Sequence, residues 1–195
     1  MKHYSDEYPK EATVRDGRPI TIRLLTPDYE DLITDLFAKQ KKKDMLYLKS
    51  NMSDPLQVQK YLDRHDVVRL FALRKNKAVG VASLYLDIEG WSQHVGELRS
   101  MVRSGMHGIG IATTLLKEIV HISQMRGIDK LIAQIPANDA HTRKIYRMMG
   151  FRQEAALKSH VKDWRGNVQD LIISSRHTDD LWHQMEELVS YFSPE

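Results

Sequence analysis

The sequence predicts a mixed α/β fold in which helices pack on a single-layer sheet. Strand-like and helix-like patterns succeed one another in the order β-α-α-β-β-β-α-β-α-β-β-α, with no internal repeat and no low-complexity linker. The 195 residues are 42% hydrophobic and 28% charged, a globular composition that can bury one sizeable core. One domain over residues 1–195 is therefore expected, with an N-terminal extension over 1–18 and a C-terminal helix over 178–195.

PITIRLL (19–25) alternates apolar and polar side chains, as a half-buried strand does. TPDYEDLITDLFAKQ opens with a Thr cap and a Pro at the first turn, then sets Leu32, Ile33, Leu36 and Phe37 on one helical face. SDPLQVQKYLDRH (53–65) repeats the Ser/Pro start, with Leu56, Val58, Tyr61 and Leu62 as its apolar set. Two apolar runs joined by RKNK make 67–88 a β-hairpin, and HVGELRSMV (94–102) is the next strand. Residues 108–126 form a helix that turns Ala112, Leu115, Leu116 and Ile119 inward and closes at Gly127. KLIAQIP (130–136) is a strand ended by proline, and NDAHTRKIYRMMGF holds a short helix. Strands at 152–161 and 168–175 flank the turn DWRGN, and TDDLWHQMEELVSYF is a last amphipathic helix. The strand patterns number about seven.

Composition narrows the chemistry. Lys and Arg total 29 against 26 Asp and Glu, a formal charge of +3 that suits a phosphorylated ligand and is too small to argue for nucleic acid. The run KQKKKD (39–44) reads as a solvated helix end. The absence of cysteine removes disulfides, zinc–thiolate sites and cysteine nucleophiles, and fits the cytoplasm. The first residues have no apolar core of a signal peptide, and no segment approaches the roughly 18 apolar residues of a membrane span, so a soluble protein is expected.

The stretch GMHGIGIATTLL (105–116) places three glycines at a strand-to-helix turn. The first N–H groups of a helix lack internal partners and carry the positive end of its dipole, so glycines that let a ligand approach make an anion site. A tight turn alone is the other reading of those glycines. The order G-x-x-G-x-G is the reverse of the dinucleotide fingerprint, and no Gly-Lys-Ser/Thr follows as a P-loop needs.

Together with Glu97 in the preceding strand and Tyr146 in NDAHTRKIYRMMGF, this stretch resembles the GCN5-related N-acetyltransferase (GNAT) superfamily. The matching parts are ELRSMVRSGMHGIGIATTLLKEIV, KLIAQIPAN and IYRMMGF, and the resemblance spans roughly 19–176. In the superfamily an acidic strand leads into a phosphate-binding turn and helix, then a strand, then an Asn…Tyr-x-x-x-Gly-Phe helix. Here Gly105 stands where the superfamily's turn usually has Gln or Arg, and the segment from Glu97 to Gly108 is about two residues short. The resemblance implies a mostly antiparallel sheet with helices on both faces, and an acetyl-CoA-dependent N-acetyltransferase acting on a primary amine of a small molecule, a protein lysine or an N-terminus. The opening VRDGRPITIRLLTPDYEDLITDLF is also faintly similar to the acetyltransferase domain of bacterial protein lysine acetyltransferases. A non-catalytic acyl-CoA sensor or interaction module of the same fold is the alternative. No metal, nucleic acid or membrane is implied, and a homodimer is left open.

Carried over residue by residue, the resemblance puts coenzyme A against Met101, Val102, Arg103, Gly105, His107, Gly108, Ile109, Gly110, Ile111, Ala112 and Asn138. A bulge in the strand would free N–H groups for the pantetheine arm and the oxyanion, with Met101 and Arg103 as donors. Transfer to an amine requires a neutral nitrogen, so a base must take its proton, and Glu97 is placed to do so directly or through water. By strand alternation Glu97 shares a face with Arg99 and Met101, so an ion pair with Arg99 or an edge charge is its other reading. Tyr146 matches the acid that protonates the departing thiolate, and is otherwise a core aromatic. Among the nine histidines, His183 lies four residues after Asp179, with no third ligand at a telling spacing, and reads as part of a solvated face. Leu181, Trp182, Met185, Leu188 and Val189 read as a docking stripe.

Overall fold

In a computed structural model of the chain, residues 4–41, 44, 52, 54–163 and 165–178 are described. The elements are β1 (Lys10–Thr13), β2 (Pro19–Leu24), α1 (Glu30–Ala38), α2 (Pro55–Leu62), β3 (Val67–Arg74), β4 (Lys77–Leu86), β5 (Val95–Val102), α3 (Ile111–Met125), β6 (Lys130–Pro136), α4 (Ala140–Met148), β7 (Arg152–Lys162) and β8 (Val168–His177). The strands form one sheet in the order β1-β2-β3-β4-β5-β6-β8-β7. Every neighbouring pair is antiparallel except β5 and β6.

The expected mixed, mostly antiparallel layer is therefore present, with eight strands where about seven were expected. The added strand is β1, within the stretch expected to be an extension. Its four residues KEAT carry too little apolar pattern to announce a strand, and pairing with β2 from Lys10↔Ile22 to Thr13↔Pro19 supplies what the pattern lacks. The expected C-terminal helix, with Asp179, His183 and the Trp182 stripe, lies outside the described residues.

Local chemistry explains the boundaries. The β3–β4 turn holds Lys75 and Asn76 at φ 49° and 57°, the left-handed pair a two-residue hairpin needs. Asp54 caps α2 by accepting from the Leu56 N–H at 3.0 Å, and Pro55 follows at the first turn, while the Ser53 of the expected start lies outside the described residues. Asp139 caps α4 by accepting from the Thr142 N–H at 3.0 Å. The expected helix over 108–126 begins at Ile111, because Gly108 and Gly110 stand at φ 82° and 90° and form the turn before it.

Strand alternation sends the two sheet faces to different helices. Leu70, Leu84 and Leu98 pack with Leu115, Leu116 and Ile119 of α3, while Phe71, Val81 and Met101 pack with Ile33, Leu36 and Phe37 of α1 and Val58 of α2. Gly80 of β4 lets α3 approach, since a Cβ there would stand 2.8 Å from Ile111 Cγ2 and 3.2 Å from the Met101 carbonyl oxygen. Gly80→Ala is accordingly expected to cost about 1–3 kcal/mol, as overpacking of a filled core does. Chemical denaturation would check this, and a wild-type midpoint would mean that the first turn of α3 moves aside freely.

Candidate active site

Strands β5 and β6 pair only from Val95↔Lys130 to Glu97↔Ile132 and then part. The Arg103 N–H donates to the Val79 carbonyl at 2.9 Å, so the odd-numbered residues of β5 turn their backbone groups toward β4. Leu98, Ser100 and Val102 consequently turn theirs toward the side where β6 has diverged. The β4–β5 register runs unbroken from Gly80↔Val102 to Leu86↔Gly96, so the expected bulge is absent. Divergence from β6 instead leaves the N–H groups of Ser100 and Val102 facing the opening, while those of Met101 and Arg103 face β4.

The glycine turn closes one end of this opening and is braced from outside. Arg103 Nη2 donates to Asp35 of α1 at 2.7 Å, and its Nε to the Ala78 carbonyl at 2.8 Å. Ser104 Oγ donates to Asp44 at 2.6 Å and accepts from the Lys41 N–H at 3.0 Å. The Ile109 carbonyl accepts from the Arg15 N–H at 2.9 Å. Gly105, Gly108 and Gly110 all have positive φ, and a Cβ on Gly105 or Gly108 would meet nothing within 4 Å. The turn thus stands open to solvent in front of the 15-residue helix α3, which suits the approach of an anion.

Glu97 and Tyr146 reach the opening from opposite faces. Tyr146 belongs to the core on the α3 side, with its hydroxyl 3.5 Å from the Leu98 carbonyl oxygen and its ring edge-on to Phe151 at 5.0 Å. Burial pushes its pKa above the ordinary 10.0, and the Glu97 charge adds to that shift while Arg99 opposes it. Glu97 projects on the other face, where Oε1 accepts from Arg99 Nε at 2.7 Å and Oε2 lies 3.4 Å from Gln134 Nε2. The Arg99 guanidinium also lies 4.2 Å from the centre of the Tyr85 ring.

These groups share a cleft of about 1560 Å³. Glu97, Tyr146, Asn138, Met101 and Val102 line it, as do His107, Gly108, Gly110, Ile111 and Ala112. Arg103, Gly105 and Ile109 do not. Arg103 is tied to α1, and Ile109 packs against the core. Gln134 was not anticipated, although its two-residue spacing from Ile132, the partner of Glu97, was legible in KLIAQIP. Among the described residues no group of three or more His, Asp or Glu could hold a metal ion, and no helix is long and apolar enough to cross a membrane.

The sequence model described as "Acetyltransferase (GNAT) family" matches residues 27–151, well over half of the chain. The chain belongs to the GNAT acetyltransferase family. Solved structures agree in fold. The GNAT domain of S. lividans PAT superposes with a TM-score of 0.71 at 16% identity, covering 86% of this chain and 96% of that one. The ribosomal-protein-alanine N-acetyltransferase of Brucella melitensis gives 0.67 at 25% identity, over 80% of this chain and 98% of that one. The ribosomal-protein-S5-alanine acetyltransferase of Vibrio fischeri gives 0.68 at 18% identity, over 83% and 94%. No curated protein sequence matches at a significant level.

For a GNAT protein the open turn has a direct test. Gly108→Asp would put a carboxylate in front of α3, and both its bulk and its charge oppose a pyrophosphate there. Acetyl-CoA affinity measured by calorimetry is expected to fall about tenfold or more. Unchanged affinity in a folded variant would remove the turn from the binding site.

Proposed function

We propose that this GNAT protein transfers the acetyl group of acetyl-CoA to a primary amine of a small molecule, a protein lysine or an N-terminus by direct attack. The observation that supports this reading best is the meeting of Glu97 and Tyr146 at the parting of β5 and β6, beside the glycine turn. Acetyl-CoA supplies an activated thioester carbon. In this reading Gly108 and Gly110 admit its pyrophosphate to the start of α3, and Ser100 and Val102 offer N–H groups along its arm in the manner of an added strand. One of those N–H groups is suited to the carbonyl oxygen as negative charge develops on it.

Glu97 accepts the proton of the incoming ammonium, directly or through water, which gives the nitrogen the lone pair it needs. The nitrogen attacks the thioester carbon to form the C–N bond and passes its surplus proton to water, and the re-forming carbonyl expels the thiolate as the C–S bond breaks. The Tyr146 hydroxyl gives its proton to the departing sulfur, and its raised pKa keeps that proton in place at neutral pH.

One observation favours a second reading, in which the protein binds an acyl-CoA without turnover. Arg99 already engages Glu97, and such a carboxylate can be purely structural. Native mass measurement for bound coenzyme A, followed by a thiol-release assay over a panel of amines and peptides, separates the two. Binding with release supports the transferase, and tight binding with no release from any acceptor supports the sensor.

A further inference from the structure

Gln134 interrupts the apolar run of β6, and the transfer steps above give it no task. Alternation buries Leu131, Ala133 and Ile135 on one face of the strand and leaves Lys130, Ile132 and Gln134 half-buried on the other. Ile132 lies opposite Glu97 in the last pair of the β5–β6 seam, so Gln134 follows on the same face just past the point where the strands part. Its amide spans the parting. Nε2 lies 3.4 Å from Glu97 Oε2, and both residues line the cleft.

The chemistry of this contact fixes which end of the amide points which way. An ionised carboxylate only accepts hydrogen bonds, so the Nε2 donor turns to Glu97 and the Oε1 acceptor turns away from it. The side chains around Oε1 do not supply a donor. Ile173 is the β8 residue opposite Gln134 and is apolar, while Arg99 directs Nε and Nη2 to Glu97. Among the described residues no group donates to Gln134 Oε1, and the cleft is the side from which a donor can reach it. A half-buried amide oxygen in this position takes its hydrogen bond from water or from whatever enters the cleft.

We propose that Gln134 Oε1 accepts an N–H of the incoming amine and thereby selects primary over secondary amines. The inference rests on the transferase reading above. The oxygen and nitrogen of one amide are about 2.3 Å apart and hydrogen bonds to nitrogen are about 2.9 Å long, so a single amine nitrogen can reach both Glu97 Oε2 and Gln134 Oε1. Once Glu97 has taken the ammonium proton, a primary amine keeps two N–H bonds. As the C–N bond forms the nitrogen turns positive and both become stronger donors. One gives its proton to water, and the other stays through to the product amide, where Gln134 can hold it throughout. A secondary amine has a single N–H at this stage and must give it up. Gln134 Oε1 then has no partner on the nitrogen as the reaction completes, and the site discriminates through that unmatched group.

Thiol release from acetyl-CoA by the full chain tests this over pairs made of a primary amine and its N-methyl derivative, including small amines and short lysine peptides. In the wild-type protein kcat/KM for the primary member should exceed that for its partner by roughly 10–100-fold. Gln134→Met keeps the length of the side chain and removes the amide, and should cut that ratio by about tenfold while acetyl-CoA affinity stays unchanged. Loss of the contact with Glu97 slows both members of a pair alike, so the ratio separates a hydrogen bond to the amine from mere positioning of the base. A folded variant that slows both members by the same factor, or slows neither, would overturn the proposal. Equal turnover of both members by the wild-type protein would overturn it without any variant. Gln134→Asn, one methylene shorter, carries the same expected fall in the ratio and replaces Gln134→Met if that protein does not fold. Release with equal efficiency across the pairs leaves acetyl transfer standing and removes only the role of Gln134, whereas coenzyme A binding without release from any amine removes the transferase and the selection with it.

Discussion

Glu97→Gln is expected to lower turnover by roughly 10²–10⁴-fold near neutral pH, the usual worth of a positioned general base. The amide keeps the size of the side chain and can still accept from Arg99 at the position where Oε1 now does, at 2.7 Å. It cannot take a proton from an ammonium. Because the side chain is 15% exposed and belongs to the sheet face away from α3, acetyl-CoA affinity should hardly move. The measurement is steady-state thiol release with the best acceptor, together with a cofactor titration. Near wild-type turnover would reduce Glu97 to the ion-pair partner of Arg99 and send the search for a base to a water chain.

Tyr146→Phe is the second large effect. The ring keeps its edge-on contact with Phe151 and its place in the core, and only the hydroxyl 3.5 Å from the Leu98 carbonyl is lost. A structural hydroxyl would cost at most about 1–2 kcal/mol of stability and leave turnover alone. An acid for the leaving sulfur acts mainly in the transition state, so kcat should fall roughly 10²-fold or more while Tm and acetyl-CoA affinity stay near wild type. The pH dependence carries a sign. Burial raises the Tyr146 pKa above 10.0, so the donating form persists through neutral and mildly alkaline pH, and the wild-type rate should show no falling limb from this group up to pH 10.0. The same shift stabilises the fold below that pH and loses its effect as pH climbs through the raised value, because the unfolded chain gives up the proton first. Equal kcat in the two proteins would remove the acid role.

Most of the fold was legible because its elements carry strong local signals. The alternation in PITIRLL, the RKNK turn and the glycine before α3 each fix a boundary through backbone chemistry that needs no tertiary context. KEAT had no such signal, and became β1 only because β2 offered an edge. Within the site, Glu97 and Tyr146 were legible as types in a pattern. Which N–H groups face the opening was not, since that follows from the β4–β5 register, and a shift of one residue exchanges Met101 and Arg103 for Ser100 and Val102. The strand neighbours of Ser83 were hidden for a similar reason. Arg69, Ser83 and Arg99 are spaced 14 and 16 residues apart along the chain, and only strand pairing makes them neighbours.

The single parallel contact also bears on how the chain folds. Every other neighbouring pair in the sheet joins strands that are consecutive in sequence, apart from β6 and β8, so β1–β5 and β6–β8 are each assembled from antiparallel neighbours within one continuous stretch of chain. The seam between the two stretches is three residue pairs wide and cannot register until the α3 crossover is laid down. It is also the narrowest pairing in the sheet, which makes it the first to open under denaturant. Hydrogen exchange should accordingly find the amides that face the seam, those of Gly96, Lys130 and Ile132, less protected than those of the β3–β4 hairpin.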